Sequence, residues 1–213
     1  MARVGPLAIA LLGLPPATTS AAEVETKTRA EAARDEGGPG FFVIGPQQIG
    51  LALGYGHGID FAGSGVIEGL EVRELVILPH WQIAFTRAPR EPAWYKGRVG
   101  LRAESSLYLA FAPQSGVAFG LTLLFRYDFV GWGRYSPYFQ IGAGPLWFWF
   151  DIEDQANGIA FNPQAGLGVT ARLGDHLALD LGWRFVHVSN AYTHSPNGGF
   201  DSMQILLGVA YHF

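Results

Sequence analysis

Three residues in the last part of the sequence have the types that acyl transfer requires: His187, Ser189 and Asp201. A serine hydroxyl attacks a carbonyl carbon, an imidazole takes its proton, and a carboxylate orients the imidazole and stabilises the imidazolium that forms. The spacing is suggestive. Two residues apart on a strand, His187 and Ser189 lie on one face, about 6.6 Å apart along the chain. After the turn "YTHSPNGG" a second strand begins at about Asp201. Antiparallel pairing of Asp201 with His187 or Ser189 brings its carboxylate within reach of the ring. All three sit in a register that is otherwise apolar: Trp183 and Phe185 precede His187 in it, and Met203, Ile205, Leu207, Val209, Tyr211 and Phe213 follow Asp201.

The elements that must carry these residues repeat one pattern, alternating apolar and polar residues followed by a turn. Eight such segments are expected, at roughly 47–59, 70–87, 97–111, 116–129, 135–150, 159–173, 177–190 and 201–213, separated by turns rich in Gly, Pro, Asp and Asn. One parity is apolar throughout, as in Val117, Phe119, Leu121, Leu123 and Phe125. The other holds Arg102, Glu104, Arg126, Asp128, Arg172, Asp180 and Arg184. Eight strands close into a barrel just wide enough to be filled by side chains. The sequence has six Trp and 15 Phe, too many large rings for that interior. They fit outside, in lipid, while charges of both signs pair within. The expectation is therefore an all-β fold: an eight-stranded antiparallel transmembrane β-barrel of the outer-membrane type, with a side-chain-filled interior. A water-soluble barrel with its aromatics inside is the opposing reading. The alternating run that ends on Phe213 resembles the C-terminal signal read by the outer-membrane assembly machinery.

Residues 1–22 read as a signal peptide: Arg3, the apolar run "VGPLAIALLGL", then small residues up to Ala22. Residues 23–39 are charged and read as a flexible periplasmic lead-in to a barrel domain at 40–213. Net charge is −4, and removal of the leader deletes only Arg3 among the charges, which argues against nucleic acid as a partner. The absence of cysteine excludes disulfides. No cofactor is implied. His57, His80, His176, His194 and His212 have no ligand spacing that suggests a metal. "GYGHG" lacks the helix a phosphate loop needs.

An even strand number puts the turn between the last two strands on the cell-surface side. A Ser/His/acid set facing lipid at that rim meets the ester bonds of an outer-leaflet lipid. Polar residues where a strand emerges into headgroups are the bland alternative, and Ser195 and Thr193 are the fallback nucleophiles. The outward turns hold Asp60, Glu68, Asp151, Glu153 and Asp154. Divalent cations would have to bridge these acids to an anionic lipid.

"HVSNA" followed by "SPNGGFDS", together with "SPYFQIGAGPLWF" upstream, resembles the PagL-type lipid A 3-O-deacylase (acyloxyacyl hydrolase) family. The resemblance implies an eight-stranded outer-membrane barrel and an esterase that removes the 3-linked hydroxyacyl chain from lipid A or lipopolysaccharide in the outer leaflet. It implies His187 as base, Ser189 as nucleophile and Asp201 as acid, with Asn190 and Asn197 as oxyanion or substrate contacts. The departure is Asp201, where the family pattern has Glu. The contrasting function is a non-catalytic barrel with a structural or surface-interaction role.

Overall fold

The computed structural model describes residues 45–59, 70–89, 91, 93–152 and 154–213. The leader, the lead-in, and Asp60, Glu68, Arg90 and Glu153 lie outside the described residues. The described residues form ten strands: β1 (Gln47–Ile59), β2 (Arg73–Ala84), β3 (Gly97–Ala112), β4 (Gly116–Phe129), β5 (Tyr135–Ala143), β6 (Pro145–Phe150), β7 (Gly158–Phe161), β8 (Gln164–Arg172), β9 (Leu177–Val188) and β10 (Phe200–His212).

Ten strands make eight staves. β4 pairs with β5 and with β6 in one register, Leu123 opposite Ala143 and Gly120 opposite Leu146, so β5 and β6 are one stave interrupted at Gly144. A Cβ at Gly144 would lie 1.8 Å from the carbonyl oxygen of Leu121; only glycine permits that approach. β7 and β8 form the next stave, interrupted where Pro163 has no N–H to give the ladder.

All neighbours are antiparallel, and the β1–β10 and β3–β4 pairings close the sheet. Following Cα partners from Gln48 leads through Gln82, Arg102, Leu124, Gly142, Gln164, Val186 and Ser202 back to β1 at Gly58. That ten-residue stagger, a shear of about ten for eight staves, forces the strands to tilt and fixes a narrow barrel.

Residues along this path are even-numbered, and the even parity points inward on every stave. The inner wall has two layers. Towards the β1–β2, β3–β4, β6–β7 and β9–β10 turns it is apolar: Val76, Tyr108, Phe148, Phe150, Val188 and Phe200 pack together, with Phe200 stacked 6.0 Å from Phe150. The parity pattern did not foresee this layer, because its aromatic rings lie on the otherwise polar face.

Below it lies a polar layer. Arg184 forms a two-pronged ion pair with Glu104, its Nη2 donating to Oε2 at 3.0 Å. Arg102 and Arg126 each donate to Asp180 Oδ2 at 3.2 Å. Arg126 also donates from Nε to Asp128 at 2.8 Å and lies over the ring of Tyr138. Charges taken out of water need this mutual pairing.

The outer wall is the reverse. Phe125, Ile205 and Leu207 are each about three-fifths exposed, in a continuous band of Leu, Ile, Val and Phe. Exposed Trp94, Tyr95, Trp132 and Tyr135 cluster at the end that carries the β2–β3 and β4–β5 connections. There Trp132 Nε1 donates to the Trp94 carbonyl and Tyr127 Oη to the Tyr95 carbonyl. An apolar band bordered by aromatic rings with bonded polar tips suits a bilayer, not water. Among the described residues no helix is long and apolar enough to cross a membrane; the strands cross it.

Candidate active site

Strand β9 brings His187 to the outer wall through simple alternation: Leu181, Trp183, Phe185 and His187 face out while Gly182, Arg184, Val186 and Val188 face in. The hairpin register then sets Asp201, the second residue of β10, directly opposite His187. His187 Nδ1 donates to Asp201 Oδ1 at 2.7 Å. The aspartate side chain is fully buried under the hairpin, whereas the imidazole is about a quarter exposed. Among the described residues Asp201 Oδ2 has no hydrogen-bond partner. With Nδ1 committed to the acid, His187 Nε2 is left as the open nitrogen. Because the two residues stand opposite one another, an aspartate spans the gap without the extra methylene of a glutamate.

Ser189 lies one step further along the same face. It leaves the ladder through two backbone bonds with Phe161: Phe161 N to Ser189 O at 2.8 Å and Ser189 N to Phe161 O at 3.2 Å. Its hydroxyl makes no hydrogen bond among the described residues, and Phe161 beside it faces the lipid side. The space between Ser189 and His187 is marked by Gly199. A Cβ there would lie 3.4 Å from Ser189 Cβ and 3.5 Å from His187 Cε1, and the residue has φ +64. Glycine is needed both for that left-handed backbone and to leave the gap empty.

Asn190 and Asn197 behave differently. Asn190 is fully buried. Its Nδ2 donates to the carbonyls of His194 and Pro196, its Oδ1 accepts from Tyr192 N, and its backbone N donates to Asn197 Oδ1. The Asn190 amide thus folds the loop from Ala191 to Gly198, where Ala191 and Tyr192 have positive φ. Asn197 keeps its Nδ2 unengaged among the described residues. Of the fallback nucleophiles, Thr193 donates its hydroxyl to Asn190 O at 2.7 Å and sits beside His194, away from the His187–Asp201 pair. His57 faces outward on β1, opposite Met203; His80 is buried in the polar layer. Among the described residues no group of three His, Cys, Asp or Glu could hold a metal ion.

A family model described as lipid A 3-O-deacylase (PagL) matches residues 70–210, well over half of the chain. The chain belongs to this family. As a PagL-family member it is an outer-membrane β-barrel enzyme of the lipid A 3-O-deacylase class. Two solved structures share the fold of the PagL-family barrel. One is the crystal structure of the outer-membrane enzyme PagL, with a TM-score of 0.54 and 17% identity, covering 76% of this chain and 97% of that chain. The other is Neisserial surface protein A, with a TM-score of 0.54 and 12% identity, covering 79% of this chain and 99% of that chain. No curated protein matches the chain.

Proposed function

We propose that this deacylase cleaves the 3-linked acyl ester of lipid A with Ser189 as nucleophile, His187 as general base and acid, and Asp201 as the group that orients His187. Ser189 Oγ attacks the ester carbonyl carbon and passes its proton to His187 Nε2. The tetrahedral intermediate collapses, the sugar oxygen leaves, and His187 returns the proton to it. Water, deprotonated by His187, then attacks the acyl-serine carbonyl carbon; the bond to Ser189 Oγ breaks, His187 returns the proton to that oxygen, and the hydroxy fatty acid leaves. Asn197 Nδ2 is the amide free to donate to the oxyanion; Asn190 holds the loop on which Asn197 sits.

The observation that carries this reading is the 2.7 Å bond from His187 Nδ1 to a buried Asp201, made on the lipid-facing wall with the imidazole partly exposed and Ser189 two residues further along the chain. A polar residue that merely emerges into headgroups has no use for a fully buried carboxylate partner. The same reading places the outer leaflet at the β9–β10 turn and takes residues 1–22 as a leader removed on export, with the assembly machinery inserting the remainder.

The test is the mass of lipid A from cells expressing the chain. The wild type should remove one hydroxyacyl chain. Ser189→Ala should leave lipid A intact, while heat-modifiable gel migration shows a folded barrel. Deacylation by Ser189→Ala at the wild-type rate would reject the assignment of the nucleophile.

A further inference from the structure

The turn between β6 and β7 holds a buried polar side chain that the acyl-transfer chemistry does not use. Gln155 is only 3% exposed, although it lies in a turn above the barrel. Its Oε1 accepts from the backbone N of Gly199 at 2.7 Å, and its Nε2 donates to the carbonyl of Ala156 at 3.1 Å. Around it the β6–β7 turn is joined to the β9–β10 turn. Ala156 N donates to Pro196 O at 2.9 Å and Gly198 N to Asp154 O at 2.7 Å, and Gln155 bridges to Asn197. Within this seam the Gln155 bond is the one made by a side chain to the residue that separates Ser189 from His187.

We infer that Gln155 is a positioning residue for the reaction: by holding the N–H of Gly199 it fixes the gap between Ser189 and His187 and the point at which the chain enters β10 to present Asp201. Gly199 is buried, so its N–H has no water to turn to if Oε1 is removed. Its backbone is already in the left-handed region, with the next two residues leading directly to the acid. Losing the anchor lets that bend relax, and displacements of about 1 Å between reacting groups cost on the order of 100-fold in rate. Among the described residues the Gln155 side chain bonds only to the backbone of Ala156 and Gly199 and to none of the three proposed catalytic side chains, so it acts on their placement.

The inference rests on Ser189, His187 and Asp201 being the reacting set, and the experiment separates the two. Purified Gln155→Met, Gln155→Glu and Ser189→Ala are assayed with the wild type on lipid A in detergent micelles, with folding followed by heat-modifiable migration. Gln155→Met keeps the length of the side chain and removes the acceptor; its kcat should fall by about 10- to 100-fold with KM nearly unchanged. Gln155→Glu keeps an acceptor oxygen for Gly199 N and should recover most of the lost kcat. A folded Gln155→Met with wild-type kcat overturns the inference. So does a Gln155→Glu no better than Gln155→Met, or, should Gln155→Met not fold, a folded Gln155→Glu as slow as Ser189→Ala. Turnover by Ser189→Ala would overturn the underlying reading instead.

Discussion

Glu104 and Asp201 are both carboxylates with fully buried side chains, and both meet a basic partner on another strand. They differ in what surrounds the pair. Glu104 faces the lumen, where Arg184 grips it with two nitrogens and Arg184 Nη1 also donates to Gln164 Oε1 at 2.7 Å. Asp201 faces the outer wall and holds a single nitrogen of His187; among the described residues its second oxygen has no partner, and the imidazole is partly exposed. A carboxylate held at both oxygens is a brace; one held at a single oxygen against a partly exposed imidazole suits proton transfer. On the proposed mechanism, one protein uses the same chemical coupling for rigidity on one side of its wall and for reactivity on the other.

Substitutions should separate the two. Glu104→Ala leaves the Arg184 charge buried and unpaired, which costs about 3–5 kcal/mol. The urea midpoint of the refolded barrel should drop accordingly, with activity per folded molecule retained. Unchanged stability would mean that water or another acid takes over the arginine.

Asp201→Asn should do the opposite. It removes the charge that stabilises the imidazolium but leaves packing intact, so kcat should fall on the order of 100- to 10,000-fold while stability moves by less than about 1 kcal/mol. The loss should be smaller than that of Ser189→Ala. If Asp201→Asn instead lowers the unfolding midpoint and spares turnover, the outer pair is a brace like the inner one.

Gly199→Ala is milder. A side chain in the left-handed region costs about 1–2 kcal/mol, and the added methyl would lie 3.0 Å from the Val188 carbonyl and between Ser189 and His187. Turnover should drop about tenfold, read from steady-state kinetics. The smallest effect is expected for Asp201→Glu. It restores the residue of the family pattern, and its longer reach should keep kcat within about tenfold of wild type. A loss as deep as that of Asp201→Asn would show that the buried site has no room for another methylene.

The staves, their parity and the meeting of His187 with Asp201 were legible because they follow from a period of two and one hairpin register. The inner aromatic layer was not. Phe148, Phe150 and Phe200 occupy the polar parity, and only the closed barrel shows that two separate strands bring them together. Gln155 was illegible for a stronger reason: its partner Gly199 is 44 residues away in another turn, and contacts between turns leave no periodic trace. The amide of Asn190, expected from the family pattern at the oxyanion, is occupied in folding its own loop, which depends on backbone angles that residue types alone do not reveal.

The strand that carries Asp201 is also the one that closes the cylinder, bonded to β9 on one side and to β1 on the other. The two sides of that strand differ in range: Asp201 reaches His187 across a local hairpin of residues 14 apart, whereas the β1–β10 seam that removes the last free edge of the sheet joins the two ends of the barrel. The proposed pair therefore does not wait for the seam, and closing the cylinder serves instead to deny the last edge to a second chain.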